Sequence, residues 1–162
     1  MLIVADTSAL LALASCDGLL LLDTLFGDVR VPPAVFRECT VADKPEAEGL
    51  TEYLRDKVTE VADLSEIVTS ATGLGQGELE AMVLYKRLRA DFLLLDDGRA
   101  RKIAHLNDVE VIGSLGVLLL AKAENLLPAI KPSVNAIQAA GIYLSGSLVT
   151  EALRLAGETE GS

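Results

Sequence analysis

Asp6 closes the apolar run Leu2-Ile3-Val4-Ala5, and two hydroxyl residues, Thr7 and Ser8, follow it directly. A buried parallel strand reads this way when it delivers a carboxylate to its own C-terminal end. Asp96 and Asp97 end a second apolar run, Phe92-Leu93-Leu94-Leu95, in the same manner. Glu38 lies in Val35-Phe36-Arg37-Glu38-Cys39, and Glu78 and Glu80 open a helix behind the glycine-rich turn Gly73-Leu74-Gly75-Gln76-Gly77. In open α/β sheets ligands bind outside the carboxyl ends of the strands, so these acids are placed to converge on one crevice. Carboxylates held together repel one another, and a cation makes such a cluster tolerable. Carboxylates with water suit hard divalent ions, Mg2+ or Mn2+. Two such ions about 3.5–4 Å apart can activate water and steady the leaving oxygen in phosphodiester cleavage.

Each acid also has a plain structural role open to it. Asp6 could N-cap the helix after it, and Glu38 could be a solvated helix residue. Glu78 and Glu80 both suit a first turn beside the positive end of a helix dipole. Residues two apart point to roughly opposite sides of a helix, so one of this pair reaches the crevice, and the expectation favours Glu80. Asp96-Asp97-Gly98 could be a turn signal, and Asp97 could cap the following helix. Other chemistries find less support. The single histidine, His105, sits in a helical pattern among Ile103, Ala104 and Leu106, and no nucleophile elbow surrounds a serine. The glycines at 73, 75 and 77 come with neither a Walker lysine nor a GxGxxG. Ser8 stands where a phosphatase of the haloacid dehalogenase type carries its second aspartate.

Strands and helices must alternate to carry the acids to one edge. The pattern predicts strands at Leu2–Ala5, Asp28–Val31, Val58–Val61, Asp91–Asp97 and Val109–Ile112. Helices are predicted at Ser8–Ser15, Leu19–Phe26, Pro33–Cys39, Pro45–Asp56, Glu78–Arg89 and Arg99–Leu106, then at Leu115–Asn125, Ser133–Ala140 and Ser147–Ala156. This alternation predicts a three-layer α/β/α domain with a central, mostly parallel sheet. Residues 1–157 form one domain, of which 114–157 are a mostly helical C-terminal extension, and 158–162 read as a flexible tail.

The 162 residues are 51% apolar and 23% charged, enough to bury one core. The leucine-rich stretch from Ala9 to Phe26 is interrupted by Ser15, Asp17, Gly18 and Asp23, too soon for a membrane span. A basic leader is missing, and Cys16 and Cys39 lack ligand spacing, so both read as core thiols of a reducing, cytoplasmic protein. The net charge of −10 disfavours broad, passive nucleic-acid binding. Lys86, Arg87, Arg89, Arg99, Arg101 and Lys102 nevertheless fall in one short stretch and could form a local basic rim.

Ile3-Val4-Ala5-Asp6-Thr7-Ser8-Ala9-Leu10-Leu11 resembles the opening of PIN domains, the nuclease fold of VapC-type toxins and of RNA-processing factors. Similarity continues in Val31-Pro32-Pro33-Ala34-Val35-Phe36-Arg37-Glu38, in Gly75-Gln76-Gly77-Glu78-Leu79-Glu80-Ala81 and in Leu94-Leu95-Asp96-Asp97-Gly98-Arg99-Ala100-Arg101. It extends over about residues 2–157, and the chain resembles one prokaryotic subgroup of PIN-like proteins of mostly unassigned role. The resemblance implies a Mg2+- or Mn2+-dependent ribonuclease, usually a homodimer and often the toxin held by a cognate antitoxin. It assigns catalytic roles to Asp6, Glu38, Glu80 and Asp97 and metal binding to Asp6, Glu80, Asp96 and Asp97, with Glu78 the alternative to Glu80 and the last two alternatives to each other. Thr7, Ser8 and Glu78 would support them, and Arg99, Arg101 and Lys102 would hold RNA. Two departures stand out: the third acid is a glutamate rather than an aspartate, and Leu95-Asp96-Asp97 replaces the usual Thr-x-Asp. Two other classes compete. One is a non-catalytic module that binds a protein or RNA and pairs through Leu19–Phe26 and Leu115–Leu120. The other is a small-molecule phosphohydrolase that uses the same acids.

Overall fold

The computed structural model describes residues 1–63 and 73–159. Its elements run β1 (Leu2–Ala5), α1 (Thr7–Ser15), α2 (Leu19–Phe26), β2 (Asp28–Arg30), α3 (Pro33–Cys39), α4 (Ala47–Leu54) and α5 (Gln76–Leu88). Then follow β3 (Phe92–Leu94), α6 (Gly98–Leu106), β4 (Val111–Ile112), α7 (Ser114–Ala123), α8 (Lys131–Ala139) and α9 (Gly146–Leu155). The four strands form one parallel sheet in the order β2-β1-β3-β4. Its two central strands are the apolar runs read from sequence. Ile3, Val4, Ala5, Leu93, Leu94 and Leu95 are all fully buried, as strands covered on both faces must be.

The strand order fixes where a site can form. The chain steps from β1 to β2 on one side and then crosses to β3 on the other, so the order reverses between β1 and β3. The crevice of an open α/β sheet opens at such a switch point, outside the carboxyl ends. Ala5 pairs with Leu94, and the Asp6 N–H donates to the Leu94 carbonyl at 2.9 Å. Asp6 and the Asp96-Asp97 pair therefore leave neighbouring strands at the same edge.

Two expectations need correction. The strand predicted at Val58–Val61 is a single parallel bridge between Val31 and Val58. Only Val31 N–H to Lys57 O (3.0 Å) and Thr59 N–H to Val31 O (2.9 Å) hold it. Glu60 beyond it is exposed, and Val61 packs against the core without ladder bonds to a neighbouring strand among the described residues. Glu158, assigned to a tail by sequence, is part of the packed body. Its Oε2 accepts from Lys122 Nζ and from the Ile130 N–H, both at 2.9 Å, and its Oε1 from the Lys131 N–H at 3.0 Å. That one carboxylate satisfies donors at the start of α8 which the helix itself leaves unpaired. Residues 160–162 lie outside the described residues.

The helices of the C-terminal extension pack against the N-terminal ones. α7 packs on α1, α2 and α9, and α8 packs on α1. Cys39 is buried and Cys16 half-buried, and both are free thiols. Burial pushes the Cys39 thiol up to about 12, which keeps it protonated as a small core residue. Among the described residues no single helix is long and apolar enough to cross a membrane.

Candidate active site

The edge between β1 and β3 opens into a crevice of about 440 Å³ lined by Asp6, Glu38, Glu78 and Asp97, with Thr7, Ser8 and Arg99 beside them. Four carboxylates from β1, α3, α5 and the end of β3 thus share one opening.

Asp6 occupies the N-cap position of α1 in an extended conformation (ψ 163°), yet its side chain makes no capping hydrogen bond. The residue is only 3% exposed, and its Oδ1 is buried without a hydrogen-bond partner. An unpaired buried carboxylate oxygen is costly, and capping α1 does not account for it. Its carboxyl is pushed from 3.8 up to about 7, chiefly by burial. The charges of Glu78 and Glu38 raise it further, and the Thr7 and Ser8 backbone N–H groups pull it partly back. The Ser8 hydroxyl, at the same crevice, is also buried without a partner.

Glu38 is not a loose surface residue. Its Oε2 accepts from the Thr7 hydroxyl at 2.7 Å, and its Oε1 accepts from the Gly77 N–H at 3.1 Å. α3 thereby joins the start of α1 to the first turn of α5. Glu78 lines the crevice with its Oε1 on the Gly75 N–H at 3.1 Å, the backward reach that a glutamate in a first turn makes to the N-cap. Burial raises its carboxyl pKa, and the neighbouring Asp97 and Glu38 charges add to the rise while Arg99 opposes it. Asp97 has its Oδ2 on the Ala100 N–H at 2.8 Å and so caps α6 while it faces the crevice.

Four residues expected at the site from sequence do not line this opening. Glu80 is buried on the far side of α5 from Glu78, where its Oε1 accepts from the Ala34 N–H at 3.1 Å and its Oε2 from Gln76 Nε2 at 2.7 Å. Successive helix residues turn by about 100°, so residues 78 and 80 lie on opposing sides. Burial of Ala81, Leu84 and Tyr85 sets which side faces out. Asp96 turns instead toward α7, with its Oδ1 on the Ser114 N–H and its Oδ2 on the Ser114 hydroxyl, each at 2.7 Å. Arg101 lines a separate depression with His105, Asp108 and Glu110, and Lys102 is exposed on α6 outside the crevice. Arg99 alone of the three predicted RNA-holding cations stands at the acids.

Gly77 is a requirement that composition alone does not reveal. A Cβ there would lie 2.5 Å from Glu38 Oε1 and 2.9 Å from Oε2. Gly77→Ala is therefore expected to push the Glu38 carboxylate off Thr7 and the α5 N-terminus. Misplacement on this scale lowers turnover by roughly tenfold to a hundredfold. Thermal melting should change little, because alanine raises helix propensity by about 1 kcal/mol. A cleavage rate equal to wild type would show that Glu38 has no role in turnover.

From residue 2 to residue 158 the chain matches a family model described as a PIN domain. The chain belongs to the PIN-domain family. No curated protein and no solved structure matches it significantly. PIN domains are generally nucleases, and they usually use divalent metal ions, so the crevice acids of this PIN domain can be tested against such an ion. Among the described residues no group of three or more His, Cys, Asp or Glu side chains already stands as a metal cage. The donors present still suit a hard cation that keeps much of its water, which one or two carboxylates suffice to hold. Asp6 Oδ1 is the crevice's buried carboxylate oxygen without a partner, and Glu78 and Asp97 line the same opening.

Proposed function

We propose that this PIN domain hydrolyses phosphodiester bonds of single-stranded RNA with Mg2+ or Mn2+ held at the crevice. The observation that carries this reading is Asp6 Oδ1, buried without a partner in an opening shared with three further carboxylates. What the ion supplies when bound is a water acidic enough to attack phosphorus near neutral pH. The chain's own groups do the rest. Asp6 offers the unpaired oxygen, Asp97 and Glu78 offer further carboxylate oxygens across the opening, and Thr7 with Gly77 fixes Glu38 as a nearby negative charge. Arg99, on the rim, would meet a phosphate of the bound strand. A net charge of −10 with one arginine at the acids favours a strand gripped at a single point over a duplex laid along a basic face.

The test is titration of Mn2+ into the purified chain with a labelled single-stranded RNA. Cleavage that rises with Mn2+ and stops with EDTA supports the proposal. RNA bound but left intact at saturating Mn2+ would reject it in favour of an interaction module. Release of phosphate from small phosphomonoesters with RNA untouched would reject it in favour of a phosphohydrolase.

A further inference from the structure

Glu80 and Glu38 form a pair of bonds running in opposite directions between the same two helices. Glu38, near the C-terminal end of α3, accepts from the Gly77 N–H in the first turn of α5 at 3.1 Å. Glu80, farther along α5, accepts from the Ala34 N–H in the first turn of α3 at 3.1 Å. First-turn N–H groups have no partner within their own helix, and a carboxylate is a strong acceptor for them. Each helix thus caps the other. The two points of attachment are four residues apart along α3, about 6 Å at 1.5 Å per residue. One bond would leave α3 free to pivot; two, spaced by a turn, fix its rotation as well as its distance.

We propose that Glu80 is a positioning residue, which acts through α3 to hold Glu38 against Thr7 and Gly77 at the crevice. It deepens the nuclease reading, on which its consequence for cleavage rests. Glu80 lies outside the crevice lining and is 7% exposed, so its effect on chemistry passes through the helix pair. Gln76 completes the arrangement by donating its Nε2 to Glu80 Oε2 at 2.7 Å. That bond offers a polarity swap. In Glu80→Gln combined with Gln76→Glu, the amide on α5 donates to the new carboxylate while its oxygen still accepts from Ala34.

Amide hydrogen exchange tests the proposal without metal or RNA, on wild type, Glu80→Ala, Glu80→Gln and the Gln76→Glu/Glu80→Gln double variant. The Asp6 amide, bonded to the Leu94 carbonyl, reports on global opening. Expected in Glu80→Ala is an exchange rise of about tenfold or more at Ala34 and also at Gly77, relative to Asp6. Glu80→Gln should show a smaller rise at both, and the double variant should return to within about threefold of wild type. A rise at Ala34 with Gly77 unchanged would make Glu80 a local cap and overturn the proposal. If Glu80→Ala fails to fold, the other two variants decide by the same pair of amides. A chain that cuts no RNA fails the nuclease reading and leaves this exchange test intact. If it does cut, the RNA rate should fall in Glu80→Gln and recover in the double variant. A double variant with restored exchange but no recovery would mean that Glu80 serves the chemistry directly, and would also overturn the proposal.

Discussion

Asp6→Asn is expected to lower Mn2+-dependent RNA cleavage by about a hundredfold or more while the protein stays folded. A bound ion contributes several kcal/mol of charge stabilisation to phosphodiester hydrolysis. Each 1.36 kcal/mol is tenfold in rate, so loss of about 3 kcal/mol exceeds a hundredfold. Asparagine keeps the shape and one acceptor oxygen but removes the negative charge, and its NH2 group would face the ion. The substitution also removes a carboxylate that burial penalises, so the metal-free variant should melt no lower than wild type at pH 8. Those two outcomes together separate a ligand from a structural residue. A rate within about threefold of wild type would remove Asp6 from the mechanism.

Much of this site is written in local sequence, and what is not is lost for identifiable reasons. Asp6 is legible because a short apolar run with β-branched Ile3 and Val4 favours a buried strand over a helix, and the run ends at its acid. Glu38 is legible as a candidate but not as a bound one: its partners Thr7 and Gly77 are 31 and 39 residues away, and only the fold brings them together. The choice between Glu78 and Glu80 turns on the rotation of α5 about its own axis. A signal was present. Glu80 stands in the row Gly77, Ala81 and Leu84 that packs inward, whereas Glu78 lies three residues after the N-cap Gly75, where a side chain reaches back to the N-cap N–H. Asp96 and Asp97 divide for a similar reason. Neighbours leaving a strand point to opposite sides, and which side holds the crevice depends on α7, whose Ser114 claims both oxygens of Asp96. The bridge at Val58 shows the converse limit: β-branched residues predict extended chain, and Val61 does pack on the core, but local sequence does not say whether a neighbouring strand runs beside it.

The metal-free protein should lose stability as pH rises from about 4 to about 7, and Asp6 should account for the largest part. Its carboxyl ionises near 3.8 in an exposed chain and at about 7 when folded. Between those values the native state keeps a proton that the unfolded chain has released. Stability therefore falls with rising pH, by up to about 1.4 kcal/mol per pH unit for one proton. Below pH 4 both states are protonated and the penalty is absent; above pH 7 both are ionised and it is complete. The ceiling across the window is about 4 kcal/mol, since Asp6 is almost fully buried. Glu78, also raised by burial, adds with the same sign. Glu158, whose pKa is lowered by the Ile130 and Lys131 N–H groups and by Lys122 against the opposing effect of burial, has the opposite sign: its stabilisation is fully present above the ordinary value of 4.5 and is lost only as the pH falls below it. Urea midpoints in EDTA at pH 5, 6, 7 and 8 isolate Asp6 when wild type is compared with Asp6→Asn. Wild type should fall behind the variant progressively from pH 5 to 7 and then run parallel to it. A constant difference across that range would mean that the Asp6 carboxylate is solvated in the folded chain. Mn2+ should reverse the trend at pH 8, because an ion that binds only the native state stabilises it and displaces the Asp6 proton. That rescue should be small in Asp6→Asn, which ties the instability of the empty crevice to the same oxygen that is proposed to hold the ion.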